Sequence, residues 1–101
     1  MTGRKLTMVR IYLLEGEVQL NNLIKRLHDW EKLRGLTVFR GISGYGASGE
    51  IHSAKLIDLA MELPIVVEFF DDSEKIEAVL QHLDDEIKPG HVVWWPIQIN
   101  D

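Results

Sequence analysis

Three observations predict a ferredoxin-like α+β fold, in which an antiparallel four-stranded sheet carries two helices on one face in the order βαββαβ. The chain has 101 residues, the length of one domain and too short for a two-halved dinucleotide-binding fold. Its 46% apolar and 27% charged residues are typical of globular proteins. Its apolar residues alternate between strand and helix spacing in the required order. We therefore expect residues 1–101 to form a single domain.

The first half of the chain supplies a strand, a helix and a second strand. Leu6 to Leu14 alternates with a period of two, and both of its faces are largely apolar. Leu20 to about Arg34 has helical spacing, and Gly35 is a suitable C-terminal stop. Leu36 to Ser43 is rich in Thr, Val, Phe and Ile, which favours a strand that ends at the glycines beyond it.

The second half begins with a third strand and a second helix. Leu63 to Phe70 alternates as a strand, and Pro64 stands at its start, where no ladder donor is lost. Either Asp72 or Ser73 is a suitable cap for the helix that follows. Its predicted buried stripe consists of Ile76, Val79, Leu80, Leu83 and Ile87.

A breaker and a fourth strand complete the pattern. Lys88-Pro89-Gly90 ends the second helix, and His91 to Ile99 forms the last strand, with Val93 and Trp95 on one face. Pro96 favours an edge position, because proline has no backbone N–H to donate.

The face of this sheet that the helices leave uncovered is predicted to be apolar, which is unusual for a monomer. We expect self-association to cover it, with Arg10 and Glu68 as pairing charges inside the contact. The alternative is a one-residue slip in the assignment, which would exchange the two faces. The predicted apolar patch consists of Leu6, Met8, Tyr12, Leu14, Val66, Phe70 and Trp94.

Charge and composition exclude several classes of protein. A net charge of -5 has the wrong sign for binding a phosphate backbone, so no nucleic-acid partner is predicted. The absence of cysteine excludes disulfides and thiolate sites, and no signal peptide or membrane span is evident, which together predict a soluble cytoplasmic protein. The whole charge excess lies in Asp71 to Lys88, with seven acids and two bases. It indicates a solvated helix face or, alternatively, a surface for docking a partner.

Glycines dominate the long connection that contains Arg40 to Lys55. Gly44 to Gly49 matches G-x-G-x-x-G after a predicted strand, but one such unit cannot supply the parallel sheet of a dinucleotide-binding fold. Two other interpretations stay open. The glycines either turn backbone N–H groups inward as an anion-binding nest, with nearby charge from Arg40, Lys55 or Lys88, or simply permit a turn.

The histidines and serines predict neither a metal site nor a catalytic residue. A hydrolase triad lacks a G-x-S-x-G elbow and a third residue to orient the imidazole, so an enzyme that uses His52 as a base ranks last. The histidines, none with metal-ligand spacing, are His28, His52, His82 and His91, and the serines near His52 are Ser43, Ser48 and Ser53.

Four segments together resemble a known family: Ile11-Tyr12-Leu13 with Glu15-Gly16, Thr37 to Ser48 (TVFRGISGYGAS), Ile51 to Lys55 (IHSAK), and Leu63 to Glu68 (LPIVVE). They resemble the PII-like signalling proteins catalogued as domain of unknown function 190, from about Leu6 to Ile99. The resemblance implies a ferredoxin-like subunit in a homotrimer whose sheets face the threefold axis. It also implies a long loop between the second and third predicted strands.

The resemblance further implies an adenine nucleotide in the clefts between subunits. The matching positions are Gly44, Tyr45, Gly46 and Ala47, then Lys88, Pro89, Gly90 and His91. PII proteins have a longer basic turn before the last strand and C-terminal arginines, whereas this sequence has a short turn and ends at Asp101. AMP, ADP and ATP are therefore all candidate ligands, and no other cofactor is expected.

These inferences predict a non-enzymatic regulatory protein. Nucleotide phosphates would meet backbone donors near Gly44 to Gly46 and the cations Arg40 or Lys88, and the loop at 47–62 would change its order. The resemblance implies a regulated partner such as a transporter, without direct insertion into the membrane. The alternative is an oligomeric protein-interaction module without a small-molecule ligand.

Overall fold

The computed structural model describes residues 1–14, 18–45, 51–53 and 63–101. Four strands form one antiparallel sheet in the order β2-β5-β1-β6, and β3 pairs with β4 in a separate hairpin. The fold is the predicted ferredoxin-like α+β arrangement, with the last strand at a sheet edge. The elements are β1 (Gly3–Leu14), α1 (Val18–Asp29), β2 (Leu36–Arg40), β3 (Ser43–Tyr45), β4 (Ile51–Ser53), β5 (Pro64–Asp71), α2 (Ser73–Leu83) and β6 (Val92–Asn100).

Both helices cover the same face of the sheet. Alternate residues of β1 and β5 point towards the helices, because side chains on a strand alternate between its two faces. They form one buried cluster with the apolar stripes of α1 and α2. Its members are Val9, Ile11, Leu13, Leu23, Leu27, Ile65, Val67, Phe69, Ile76, Val79 and Leu83.

The end of α1 differs from the prediction. The helix ends at Asp29 rather than near Arg34, and Lys32, not Gly35, takes a left-handed conformation with φ of 51°. Contacts from distant elements hold this connection: Lys75 Nζ donates to the Lys32 carbonyl at 2.5 Å, and the Arg34 N–H donates to Asp71 Oδ2 at 3.0 Å. Tertiary hydrogen bonds, rather than a glycine, therefore fix where α1 stops.

The two ends of α2 differ, because only its C-terminal end is closed by local hydrogen bonds. Asp72 occupies the N-cap position without a side-chain capping bond, and its carboxylate pairs instead with Arg4 at 2.8 Å. The helix ends at Leu83, five residues before the breaker at Lys88, because the Leu83 carbonyl accepts from both Glu86 and Ile87 in a closing turn. The last predicted stripe residue, Ile87, still packs against the core, although it lies outside the helix.

The prediction that Trp94 belongs to the uncovered face is wrong. Trp94 lies opposite Val9 in the sheet register, and Val9 points towards the helices. Trp95 lies opposite Met8 and takes the predicted place on the uncovered face. The two tryptophans therefore exchange faces relative to the prediction. The prediction that Leu6 belongs to the uncovered patch is also wrong, because Leu6 is only 1% exposed.

The face without helices is hereafter called the open face, and it is apolar at most positions. Tyr12 is 42% exposed, Phe39 50% and Trp95 36%, although all three belong to regular strands. No helix in the described ranges is long and apolar enough to cross a membrane. By register and alternation, the open face consists of Met8, Arg10, Tyr12, Leu14, Thr37, Phe39, Val66, Glu68, Phe70, Val93 and Trp95.

Candidate functional site

The candidate site lies at one end of the sheet, and both predicted binding segments reach that end. β2 ends at Arg40 opposite Ile65, which lies at the start of β5 and opposite Leu13 near the end of β1. The start of β6 joins the same end through Val92, which lies opposite Ile11. Antiparallel pairing thus brings the chain after β2 and the turn before β6 to one end of the sheet, at opposite edges.

A close backbone approach fixes the chain where it leaves β2. The predicted second strand to Ser43 is interrupted: β2 stops at Arg40, and the Gly41 N–H donates to the Pro64 carbonyl at 2.7 Å. A Cβ at Gly41 would lie 2.7 Å from Pro64 Cγ and 3.2 Å from the Pro64 carbonyl oxygen. Only glycine fits there without displacing Pro64, so Gly41 directs the chain towards the hairpin.

The hairpin of β3 and β4 carries two of the predicted nucleotide residues. Gly44 lies opposite His52 and packs near the Pro64 ring, while Tyr45 lies opposite Ile51 and is 75% exposed. The glycine segment that begins at Gly44 joins β3 to β4, which pair in an antiparallel hairpin. This pairing contradicts a dinucleotide-binding interpretation of the glycines, since that fold requires parallel strands. The predicted residues Gly46 and Ala47, and Lys55 beyond them, lie outside the described residues.

The turn before β6 is attached to the end of β1. Gly90 has φ of +86°, a conformation that favours glycine, and the His91 N–H donates to the Lys88 carbonyl at 3.2 Å. The Tyr12 N–H donates to the His91 carbonyl at 2.8 Å. The turn thus holds a defined shape, with Lys88 exposed beside it.

The imidazole of His91 makes a contact that the sequence did not predict. Its Nδ1 lies 2.9 Å from the Tyr12 carbonyl, which can only accept, so Nδ1 carries the proton. In the neutral ring, Nε2 is then left as an acceptor. This bond depends on Tyr12 lying 79 positions earlier in the chain, and no local signal indicates it.

The open face has a polar centre between the two edges of the site. Arg10 Nε donates to Glu68 Oε2 at 2.6 Å, and the guanidinium lies 5.5 Å from the centroid of the Trp95 ring. The hydrogen bond to Glu68 raises the pKa of Arg10, which stays charged. The predicted pairing charges therefore already satisfy one another within a single chain.

Among the described residues, two other histidines lie outside this site. His82 pairs with Glu31 at 2.5 Å and His28 with Asp29 at 2.8 Å, so neither of these histidines belongs to the sheet end. Arg40 is exposed at the end of β2. No group of three or more His, Asp or Glu side chains suited to a metal occurs in the ranges the structure describes.

Comparison with known families identifies residues 6–99 as matching DUF190, described as "Uncharacterized ACR, COG1993". A UPF0166 protein of Aquifex aeolicus is 43% identical over 77 residues, which cover 76% of this chain and 69% of the relative. A UPF0166 protein of Methanocaldococcus jannaschii is 35% identical over 94 residues, covering 88% of this chain and 85% of the relative.

Solved structures share the fold at low sequence identity. CPII from Thiomonas intermedia, bound to ADP and bicarbonate, superposes with a TM-score of 0.72 at 18% identity, covering 99% of this chain and 93% of that one. A PII-like signaling protein from Thermus thermophilus gives 0.60 at 22% identity, covering 98% and 91%. The chain therefore belongs to the DUF190 family and has the ferredoxin-like fold of the PII-like proteins.

Proposed function

We propose that this protein is a non-enzymatic cytoplasmic regulator that binds an adenine nucleotide between the subunits of a homotrimer. The nucleotide contacts the hairpin end of one subunit and the turn before β6 of the next. The loop at 47–62 then changes its order and alters which partner protein it contacts. Residues 1–101 act in this proposal as one domain.

One observation supports this proposal most strongly: the two candidate binding segments lie at the same end of the sheet but at its opposite edges. Neighbouring strands are about 4.8 Å apart, so three strand spacings separate β2 from β6 by about 14 Å. In a ring of copies, the β6 edge of one subunit faces the β2 edge of the next. The segments on Gly44 and Lys88 then form the two walls of a cleft.

The chemistry of the two walls suits the phosphates and the base of a nucleotide. Lys88 is exposed, and the left-handed Gly90 offers its backbone N–H beside it, whereas Pro89 has no N–H and that of His91 donates to the Lys88 carbonyl. On the other wall, Tyr45 is 75% exposed and offers a ring on which a base can stack. A cation, a backbone donor and an aromatic ring together favour an anionic, planar ligand.

The ligands of the structural neighbours support an adenine nucleotide as that ligand. CPII from Thiomonas intermedia was solved with ADP and bicarbonate and, in another structure, with ADP, AMP and bicarbonate. The fold that this chain shares with CPII thus accommodates adenosine mono- and diphosphates. We extend this ligand class to the present chain as part of the proposal.

Titration calorimetry with AMP, ADP and ATP tests the proposal. We expect wild-type protein to bind at least one of them, and Lys88→Ala to weaken that binding by about tenfold, because a charge-assisted hydrogen bond to phosphate is lost. Lys5→Ala is the matched control, since Lys5 is an exposed lysine near the opposite end of the sheet. It should bind the nucleotide as wild-type protein does.

Two results would contradict the proposal. No detectable heat at millimolar concentrations of all three nucleotides would favour a protein-interaction module without a small-molecule ligand. Nucleotide hydrolysis by the pure protein that His52→Ala abolishes, with assembly intact, would show an enzyme instead.

A further inference from the structure

A groove between α2 and β6 runs along the helix-covered side of the sheet, away from the open face. Its volume is about 630 Å³. One wall is a single face of α2, which bears Ile76, Glu77, Leu80 and Asp84 at helical spacing. The other wall is Trp94, so the groove has an apolar floor between an aromatic ring and a row of polar side chains.

Trp94 is the most unusual residue of this groove. Its side chain lies on the helix side of the edge strand, where the neighbouring residues Val9 and Ile76 are at most 1% exposed, yet Trp94 is 59% exposed. A large aromatic ring beside a groove is typical of a binding anchor, since such residues dominate the energetics of protein interfaces.

The rim of the groove carries negative charge that the described residues do not neutralise. In residues 1–14, 18–45, 51–53 and 63–101, no cation pairs with Glu77 or Asp84. Glu86, which follows α2, pairs with Arg26 away from the groove, so the described residues neutralise this carboxylate but not the two on the groove rim. The excess charge of the whole chain lies in this helix and its flanks.

The groove opens on the helix side of the sheet, so a copy of the chain that covers the open face does not occupy it. Its length follows from the helix: Ser73 to Asp84 spans about 16 Å at 1.5 Å per residue. An extended segment of about five residues, at 3.3 Å per residue, covers that distance.

We propose that this groove docks an extended, basic segment of a partner protein. Apolar side chains of the segment pack on Leu80 and Trp94, and Lys or Arg side chains pair with Glu77 and Asp84 or stack on the indole. Negative charge on the rim disfavours nucleic acids and anionic lipid surfaces as occupants. The proposal requires no nucleotide and therefore goes beyond the function proposed above.

The probe for this proposal is the capped peptide KVRVRVK, which alternates cationic and apolar side chains, with EVEVEVE as its acidic counterpart. Fluorescence anisotropy of labelled peptides, at physiological salt, measures their affinity for the full chain. We expect KVRVRVK to bind and EVEVEVE not to bind. The double variant Glu77→Lys with Asp84→Lys, and separately Trp94→Ala, should weaken binding by about tenfold or more.

Two matched controls separate this groove from general attraction to an acidic protein. Asp85→Lys makes the same charge change as Asp84→Lys alone, but on the next residue, which lies beside Arg26 rather than in the groove. Trp30→Ala removes a tryptophan that is 80% exposed elsewhere on the surface. Each control should change the affinity by less than about twofold.

The proposal is overturned if KVRVRVK does not bind at millimolar concentration. It is also overturned if Asp85→Lys weakens binding as much as the double variant, or if both Trp94→Ala and Trp94→Lys leave the affinity unchanged. Circular dichroism of each variant establishes that the fold is retained. Wild-type protein that binds a nucleotide but not KVRVRVK would contradict this proposal alone. Wild-type protein that binds KVRVRVK but no nucleotide would contradict the nucleotide proposal alone.

Discussion

The two faces of the sheet have nearly the same apolar content but opposite environments. On β5, Val67 and Phe69 point towards the helices and are at most 1% exposed, whereas Val66 and Phe70 point the other way and are only partly covered. Strand alternation alone produces both sets. The comparison shows that the apolar pattern predicts two sheet faces that need a cover. The helices of one chain cover only one of these faces.

The polar residues of the two faces differ in the same way. Asp71 is 3% exposed on the helix side, where backbone N–H groups and Lys75 surround it. Arg10 and Glu68 form their pair at the centre of the open face, and Arg10 remains 43% exposed. A buried carboxylate on one face is satisfied within the chain, while the charged pair on the other still borders solvent.

The largest expected effect is the difference in stability between the Phe69→Ala and Phe70→Ala variants. Phe69→Ala should lower the free energy of unfolding by about 3–5 kcal/mol, because it removes a fully buried ring from the core. Phe70→Ala should lower it by less in dilute protein and should make the stability depend less on protein concentration. Urea titrations at two protein concentrations measure both effects, and equal losses that do not vary with concentration would contradict the comparison.

The second expected effect concerns assembly through the open face. Val66→Lys places a charge between Tyr12 and Phe39, and it should weaken self-association by about a hundredfold, since an unpaired buried charge is costly. Ala78→Lys is the control, because Ala78 is exposed on α2. Sedimentation velocity of both variants checks the prediction, which fails if Val66→Lys assembles as wild-type protein does.

The third effect concerns Asp71. Burial opposes ionisation of this carboxyl, but hydrogen bonds from the backbone of Asp72 and Arg34, together with Lys75, outweigh burial and lower its pKa. A lowered folded-state pKa means that the folded protein binds fewer protons than the unfolded chain. The stabilisation is therefore present above the unfolded carboxyl pKa of about 4 and is lost as the pH falls through the folded value.

Asp71→Asn should therefore cost about 1–3 kcal/mol at pH 7 and much less at pH 2. Asp72→Asn, which alters an exposed partner of Arg4, should cost less than about 1 kcal/mol. Urea titrations of both variants at the two pH values measure these differences. An Asp71→Asn cost that does not change with pH would show that the carboxylate charge contributes no stability.

The smallest expected effect is that of the charged pair on the open face. Arg10→Gln should leave the stability of dilute, dissociated protein almost unchanged, because the side chain is partly solvated. In assembled protein the effect should be larger, since the partner Glu68 would be left buried without its cation. Thermal melts across a range of protein concentrations compare the two conditions.

The strand order and the core could be predicted from the sequence, because period-two and period-3.6 patterns determine which side chains share a face. Element ends could not. Lys32 takes the left-handed position expected of Gly35 because Asp71 and Lys75 hold the connection, and neither contact is visible within a local window. The faces of Trp94 and Trp95 could not be predicted either, because two consecutive apolar residues show no alternation that assigns one of them to a face.

Only part of the candidate site could be predicted, because its contacts, like the element ends, join residues that are distant in the sequence. Its glycines are visible in the sequence, but the close approach of Gly41 to Pro64 and the bond from His91 to Tyr12 depend on strand pairing across the sheet. The binding roles of Arg40, Gly44, Tyr45, Lys88, Gly90 and His91 remain predictions. Those of Gly46 and Ala47 do too, and both residues lie outside the described part of the chain.

The mass of the wild-type particle at micromolar concentration tests most directly whether copies of the chain cover the open face. Multi-angle light scattering should give three times the 11.6 kDa of one chain. A stable 11.6 kDa particle would contradict the account, because the exposed Tyr12, Phe39 and Trp95 would then face water and no cleft between subunits would exist.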